Sequence, residues 1–302
     1  MQNSPTPLEQ TDVADQSPAV FSGEFRRVIK VFLGRKVAVL GLVFILLLIF
    51  TAIFAHWLAP YDPYLMDLGN QLGQPSWSHL LGTDPLGRDT LSRIIYGSRT
   101  SLLVGVSAVA ISAIIGESMG LIAAFYGGAV FNIIMRLTDA LMSVPMLLIA
   151  LIIAALLGGG EKNVIIALAV GGISGQCRMM CGQALTIMQN DYILAGRSLG
   201  INDRRMIIRH IFPNAFPPLL VLITIALGTT ILAEASLSFL GIGIIPPTCA
   251  WGSMVNDGYK YLLTNPILSF APGLAIMMVV FGFNMMGDGL RDSLDPKLRG
   301  TL

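Results

Sequence analysis

Residues 191–214 read DYILAGRSLGINDRRMIIRHIFPN and form the longest polar interruption in the second half of a very apolar chain. Long hydrophobic segments lie on both sides of this stretch. It contains four arginines, Arg197, Arg204, Arg205 and Arg209. A polar stretch of this length between two apolar segments predicts a structured loop that connects two membrane spans.

Local signals within the stretch predict two helices. Asp191 can cap a first short helix, and Gly200 can end it because glycine adopts the left-handed conformation without a steric cost. Asn202 or Asp203 can cap a second helix, which is expected to stop near Pro213 because proline cannot donate a backbone hydrogen bond.

Arg204 and Arg205 fall in the first turn of the second helix, where cations oppose the helix dipole. A purely structural helix does not favour cations there, so an anion outside the chain, such as an acidic partner or a lipid phosphate, can explain them. The alternative is an ordinary solvated loop that is rich in cations because it lies on the inner side of a membrane.

Composition identifies the class of protein. The 302 residues are 54% hydrophobic and 12% charged, whereas a soluble domain carries about 25% charged residues. Three cysteines, Cys177, Cys181 and Cys249, give no disulfide framework. Cys177 and Cys181 share a helical face but have no nearby His or carboxylate, so we interpret them as small apolar residues and not as metal ligands.

Six apolar runs predict an all-α, polytopic membrane protein with six transmembrane helices. The first run begins near Val37, too far into the chain and too long for a cleavable signal peptide. We therefore divide the chain into a cytoplasmic region, residues 1–36, and a transmembrane domain, residues 37–302. The spans are expected at about 37–58, 102–124, 141–157, 164–180, 219–240 and 267–286.

The N-terminal region has two parts. Residues 1–22 are polar and are expected to be disordered, and residues 24–36 form a basic amphipathic segment that is expected to lie along the inner membrane surface. Six spans place both termini on one side, and 14 of the 19 Lys and Arg residues fall on that side. By the positive-inside rule, both termini and the 191–214 stretch are cytoplasmic.

The loop after the first span contains GTDPLGRDTLSRIIYGSRTSL, residues 82–102. Gly-Thr-Asp-Pro is typical of a turn, and Asp89 can cap a helix that begins at Thr90. Arg88 can pair with Asp84 or with Asp89. This stretch closely resembles a pattern of the peptide/nickel subfamily of bacterial ABC-importer permeases.

Further stretches resemble the same family. The spacing of Gly200 and Pro213 is similar to that of its cytoplasmic loop, although only Ala195 matches the Glu-Ala-Ala triplet that the family carries at 194–196. EASLSFLGIG at 234–243 and GDGLRDSLDPKLRG at 287–300 are also similar to family signatures. The resemblance runs from about residue 30 to the end of the chain and favours the C-type subunit of the dipeptide/oligopeptide branch.

The resemblance implies a type I ABC-importer permease fold in the bacterial inner membrane. It also implies a second homologous permease, one or two ATP-binding subunits and a periplasmic substrate-binding protein. The 191–214 stretch becomes the coupling segment, which transmits ATP-driven motion to the spans. The residues expected to contact or shape the ATPase interface are Ala195, Gly196, Leu199, Gly200, Arg204, Arg205 and Pro213.

Charged residues near the membrane form two further groups of candidates. Glu117 and Glu234 fall inside apolar spans, where they either line the translocation path or brace packed helices. Arg136 and Asp139 are three residues apart, a spacing that suits a structural ion pair on one helix.

The expected function is import of dipeptides or oligopeptides, with ATP hydrolysed on partner chains and no cofactor on this one. The sequence contains no phosphate-binding loop and no catalytic cluster, so we expect a transport subunit and not an enzyme. The alternatives are import of nickel or another small solute, and a secondary transporter that acts alone. The latter often has inverted repeats, which we do not find.

Overall fold

The computed structural model describes residues 19–294, and for residues 19–26 only the backbone. Residues 1–18 of the segment expected to be disordered, 1–22, lie outside this range, as does the end of the C-terminal signature, residues 295–300. Residues 19–22 belong to a helix, so the expected disorder is wrong for them. Between residues 19 and 294 the regular structure is helical, apart from one isolated bridge between Thr83 and Asp89. The α-helices are α1 (Ala19–Gly34), α2 (Lys36–Ile53), α3 (Ala55–Leu58), α4 (Thr90–Tyr126), α5 (Gly128–Met142), α6 (Met146–Leu157), α7 (Glu161–Met188), α8 (Asp191–Ser198), α9 (Asp203–Met206), α10 (Phe212–Phe239), α11 (Trp251–Tyr259) and α12 (Ile267–Leu294).

Five helical segments of the described chain are long and apolar enough to cross a membrane. They are α2, α4, α7, α12 and the continuous segment Asp203–Phe239, which joins α9 to α10. Together α5 and α6 form a sixth apolar unit that is bent by 85°. The number of spans is therefore five, or six when the bent pair is counted as one.

The bent pair differs from the straight span expected at 141–157. Helix α5 ends at Met142 and α6 begins at Met146, so Pro145 lies at the break. A residue before proline is disfavoured in the α-helical conformation, which explains the interruption at this point. Helix α6 has 12 residues and is about 18 Å long, too short to cross a hydrocarbon core of about 30 Å without α5.

Helices α4 and α7 form the central packing unit. Gly116 of α4 lies against the backbone of Ile173 and Cys177 on α7, and a Cβ at this position would lie 2.6 Å from the carbonyl oxygen of Ile173. The two helices therefore approach more closely than larger residues would allow. Helix α12 packs against both α2 and α10, around Ile45, Ile231 and Phe283.

Helix α4 begins well before the apolar run that predicted it. The Ser92 amide donates a 2.8 Å hydrogen bond to Asp89 Oδ2, which confirms Asp89 as the N-cap of a helix starting at Thr90. Arg88 pairs with Asp84 at 2.7 Å. Asp89 instead accepts from Ser92 and lies 2.8 Å from His79 Nδ1.

The segment between the fifth and sixth expected spans, residues 241–266, contains helix α11. Its Trp251 is buried, and the indole Nε1–H donates to the carbonyl of Ile94 on α4 at 2.9 Å. This contact fixes α11 against the start of α4, so the two segments expected on the outer side form one packed unit.

Candidate coupling site and translocation cavity

Helix α8 opens the coupling segment, residues 191–214. It begins at Asp191, and Asn190 occupies the N-cap position without a side-chain hydrogen bond, so the prediction that Asp191 caps this helix is wrong. The expected stop at Gly200 is confirmed. Gly200 has a φ of +74°, its amide donates to Arg197, and the Ile201 amide donates to the Gly196 carbonyl at 3.1 Å.

The second helix of the segment is longer than expected. Asn202 caps it, with Oδ1 accepting from the Arg204 amide at 3.1 Å. We expected it to stop near Pro213, but the chain stays helical from Asp203 to Phe239. A π-helical turn, Ile207–Ile211, precedes the proline, and the Phe212 amide bonds to the Ile207 carbonyl five residues back. The wider π-helical turn accommodates Pro213 without interrupting the helix, so the coupling segment continues directly into α10.

One face of the coupling segment is anchored in the fold. Ile193, Met206 and Ile211 are buried in a cluster with the ends of α4 and α7, including Leu121 and Ala184. This apolar contact ties the segment to both helices, so that a displacement of the segment moves them as well.

Gly196 belongs to this buried face. A Cβ at Gly196 would lie 2.9 Å from Met206 Cε and 3.2 Å from Ile201 Cδ1. The expectation that Gly196 packs into a groove on the ATPase is therefore wrong. Its lack of a side chain lets α8 lie against the second helix of the segment.

The opposite face is exposed. Leu199 is 83% exposed, and Ala195 is exposed beside it. Arg204 and Arg205 are also exposed, and no carboxylate within residues 27–294 lies within 4.0 Å of either guanidinium. With Asn202, Ile208 and Arg209 they line a shallow groove of 370 Å³. This face combines the exposed apolar side chain of Leu199 with unpaired cations, which is the combination expected on a surface that binds an acidic protein partner.

A cation–π contact adds a further link to the spans. The guanidinium of Arg197 on α8 lies 5.5 Å from the centroid of the Phe125 ring, near the end of α4. From the sequence, Arg197 was considered only as one of the cations that favour a cytoplasmic position of the segment, so this contact was missed.

A partly open cavity of 410 Å³ lies between α7 and α10, next to the break between α5 and α6. Its polar lining consists of Ser112, Ser174, Gln176, Thr229 and Thr230, and among residues 27–294 no ionisable side chain lines it. The remaining lining is apolar or glycine, including Met142, Met146 and Met179. Pockets for small ligands have volumes of about 300–1,000 Å³, so the cavity can hold a small solute.

The two intramembrane glutamates lie away from this cavity lining. Glu234 is fully buried, and its Oε1 accepts a 2.7 Å hydrogen bond from Ser238 Oγ. Ser238 Oγ in turn accepts from the Ile244 amide at 3.1 Å. Glu234 therefore braces the end of α10 and the turn that follows. Glu117 is 7% exposed, in the packed region of α4. The expectation that either residue lines a path finds no support in the geometry of the described residues.

The expected pair of Arg136 and Asp139 is replaced by another. Asp139 on α5 forms an ion pair with Arg178 on α7, and both side chains are about half exposed. Arg178 approaches from a neighbouring helix, which the sequence spacing alone could not reveal.

Polar residues on the expected outer side form a further cluster. Asp84 accepts from Arg88 and lies 3.5 Å from Arg93, and all three lie close to Asp257 of α11. Burial raises the pKa of Asp257, and the charges of Arg93 and Lys260 offset part of that effect.

Two family profiles match the chain. "Binding-protein-dependent transport system inner membrane component" matches residues 116–300, which include the coupling segment and all of the cavity lining except Ser112. "N-terminal TM domain of oligopeptide transport permease C" matches residues 23–75.

Individual relatives agree with the profiles. The chain is 43% identical over 270 residues to the "Glutathione transport system permease protein GsiD" of Escherichia coli O6:K15:H31, and the alignment covers 89% of each of the two proteins. It is 41% identical over 269 residues, with the same coverage, to the protein of that name from Pectobacterium atrosepticum.

The fold also matches a solved structure. An inward-facing conformation of the MetNI methionine ABC transporter aligns with a TM-score of 0.56 and 18% identity, covering 67% of this chain and 97% of that one. This likeness confirms the expected type I ABC-importer permease fold. The profiles and relatives place the chain among transport subunits and not among enzymes. The chain therefore belongs to the family of inner-membrane components of binding-protein-dependent transport systems.

Proposed function

We propose that the chain forms one half of the translocation path of an ABC importer for short peptides, with glutathione among its cargo. The names of the relatives support the peptide class. The proposal rests on the connection between the coupling segment and the helices that line the cavity. The coupling segment joins α7 directly to α10, and these two helices form walls of the 410 Å³ cavity.

The geometry supports a mechanical role for this connection. The buried face of the coupling segment packs on α4 and α7, and its second helix continues without a break into α10. When ATP binding closes the partner ATPase dimer, the exposed face around Leu199, Arg204 and Arg205 moves with it. The walls of the cavity then shift together between two packed arrangements, which gives alternating access.

The proposed assembly contains a second homologous permease, one or two ATP-binding subunits and a periplasmic substrate-binding protein. The ATPase would bind the exposed face of the coupling segment. The binding protein would dock on the opposite side, over the unit formed by α11 and the segment before α4. Both termini would be cytoplasmic, as the distribution of Lys and Arg favours.

The test is reconstitution of the chain with its partners in proteoliposomes. Uptake of labelled glutathione, a labelled dipeptide and radioactive nickel is measured with and without ATP and the binding protein. ATP-dependent uptake of the peptides supports the proposal. Uptake of nickel without uptake of any peptide would show that the cargo is nickel and not a peptide. Uptake that needs neither ATP nor a partner would indicate a secondary transporter.

A variant tests the coupling face separately. Leu199→Glu places a carboxylate at the most exposed large apolar side chain of the coupling segment, and we expect loss of peptide uptake with normal insertion of the chain. Lys162→Glu, at an exposed position outside the coupling segment, is the control. Equal loss of uptake in both variants would contradict a specific role for Leu199.

A further inference from the structure

Within the described part of the chain, Gln176 is the one cavity-lining residue with a carboxamide side chain. It is 6% exposed, and its Oε1 has no hydrogen-bond partner. A buried polar atom without a partner is destabilising, and native structures contain few of them. The unpaired carboxamide oxygen therefore calls for a partner that the isolated chain does not supply.

The backbone around Gln176 holds it in place. On the α4 side, Gly116 packs against it so closely that an added Cβ would lie 2.8 Å from Gln176 Cβ. On the other side, Gly175 has open space where a side chain would be. The tight contact with α4 fixes the position of the residue, and the neighbouring glycine leaves the cavity free for a ligand.

Two of the four hydroxyls that line the cavity are engaged already. Ser112 Oγ donates to the Val109 carbonyl at 3.0 Å, and Thr229 Oγ1 donates to the Ala226 carbonyl at 3.1 Å. Each hydroxyl hydrogen is directed to its own helix, so these side chains present only acceptor lone pairs. A carboxamide differs because it carries both an acceptor and two donors, and rotation of its terminal bond exchanges their places.

We infer that Gln176 is a specificity-determining contact that pairs with the peptide backbone of the cargo. Its Oε1 would accept the N–H of one cargo residue in an extended conformation, and its Nε2 would donate to the carbonyl oxygen of the same residue, because these two groups point to the same side of an extended chain. This inference rests on the proposed function, because it assumes that a peptide enters the cavity, and it names the group that recognises it.

The rest of the lining fits this type of recognition. Among residues 27–294 no ionisable residue lines the cavity, so the charged ends of a peptide have no fixed partner there. Met142, Met146 and Met179 are flexible and polarisable, and they can pack against different side chains. Pairing with the backbone, which every peptide shares, would allow passage of varied sequences.

The test compares probes with and without an amide N–H in the reconstituted complex. The probes are glutathione and glycylglycine, each with an analogue methylated at a backbone amide nitrogen; for glycylglycine this is glycylsarcosine. The affinity of the isolated binding protein for each probe is measured first, so that transport is compared at equal saturation. Gln176→Met keeps the side-chain length and removes the hydrogen-bonding groups, and Gln183→Met makes the same change on α7 outside the cavity.

We expect wild type and Gln183→Met to transport the unmethylated probes about three- to tenfold faster, the effect of one neutral hydrogen bond. In Gln176→Met this preference should disappear through a lower maximal rate on the unmethylated probe. If Gln176→Met does not assemble, Gln176→Leu replaces it. A preference that persists in the variant would overturn the inference and leave the proposed function standing. A wild-type complex that transports no peptide would overturn both.

Discussion

Arg178 of α7 forms an ion pair with Asp139 of α5, which lies 39 residues earlier in the chain. Asp139 precedes the break at Pro145, and Arg178 follows Gln176 by two residues. The pair therefore joins two helices at the edge of the cavity, where Pro145 and Gln176 both contribute to the lining. It holds the end of α5 against α7.

The first prediction concerns this pair. Asp139→Asn and Arg178→Gln should each lower the free energy of unfolding by at most about 1 kcal/mol, because both side chains are half exposed to solvent. Thermal unfolding of the two single variants and the double variant gives the coupling energy. Arg136→Gln is the matched control and should change little. Additive effects of the two single variants would show that the pair contributes no interaction energy.

The second prediction concerns Gly200. Its φ of +74° is left-handed, and open space surrounds it, so backbone strain alone decides the effect of a substitution. Gly200→Ala should destabilise the end of α8 by about 1–2 kcal/mol, whereas Gly200→Asn should be tolerated better because asparagine adopts this conformation more readily. The amount of peptide transported per ATP hydrolysed measures how well ATP hydrolysis is coupled to transport. Equal values for Gly200→Ala and Gly200→Asn would contradict the role assigned to the backbone conformation.

The third prediction concerns the buried side of the coupling segment. Gly196→Leu introduces a side chain where Met206 and Ile201 leave no room, so it should displace α8 and abolish uptake while the chain is still inserted. Gly182→Leu on α7 is the control because its Cβ would meet nothing within 4 Å. Insertion is checked by immunoblotting of membranes. Normal uptake by Gly196→Leu would show that the packing of α8 is not required.

The fourth prediction separates the two interpretations of Glu234. A bracing role requires an acceptor for the Ser238 hydroxyl, which Gln supplies and Ala does not. Glu234→Gln should therefore keep uptake near the wild-type level, and Glu234→Ala should lower the free energy of unfolding by about 1–3 kcal/mol. Loss of uptake in Glu234→Gln with unchanged stability would instead support a direct role in translocation.

The fifth prediction concerns pH. Burial raises the pKa of Asp257 above its ordinary value of 3.8, so its carboxyl binds a proton more tightly in the folded state than in the unfolded state. The resulting stabilisation is present below pH 3.8 and is lost as pH rises through the raised pKa. Asp257→Asn should remove this contribution and be more stable than wild type near neutrality.

Thermal unfolding from about pH 4 to about pH 7 measures this difference. Asp62→Asn, at an exposed aspartate on the same expected side of the membrane, is the matched control. A difference between Asp257→Asn and wild type that stays constant over this range would contradict the prediction.

The apolar runs predicted much of the fold because length and hydrophobicity report burial in a bilayer directly. They placed the cores of α2, α4, α7, α10 and α12. They did not predict where helices continue beyond the apolar part. Helix α4 extends back to Thr90, and α10 extends through Pro213, because caps and a π-helical turn, and not hydrophobicity, decide those boundaries.

The candidate site was less predictable because its contacts join distant parts of the chain. Gly200 could be identified from its turn chemistry. In contrast, Gly196 was assigned to the wrong face, and Arg136 was paired in place of Arg178, since local spacing says nothing about a neighbouring helix. Gln176 carried a usable signal, a lone amide within the apolar run at 164–180, that we did not use.

The unbroken helix from Asp203 to Phe239 fixes the number of residues between the exposed arginines of the coupling segment and the cavity. Each residue of an α-helix turns the chain by about 100°, so one inserted or deleted residue would rotate Thr229 and Thr230 away from the cavity relative to Arg204 and Arg205. Substitutions between these positions preserve that angular relationship, whereas insertions and deletions destroy it. Evolution can therefore vary the composition of this helix widely while its residue count stays constant, including the extra residue held in the π-helical turn at Ile207–Ile211.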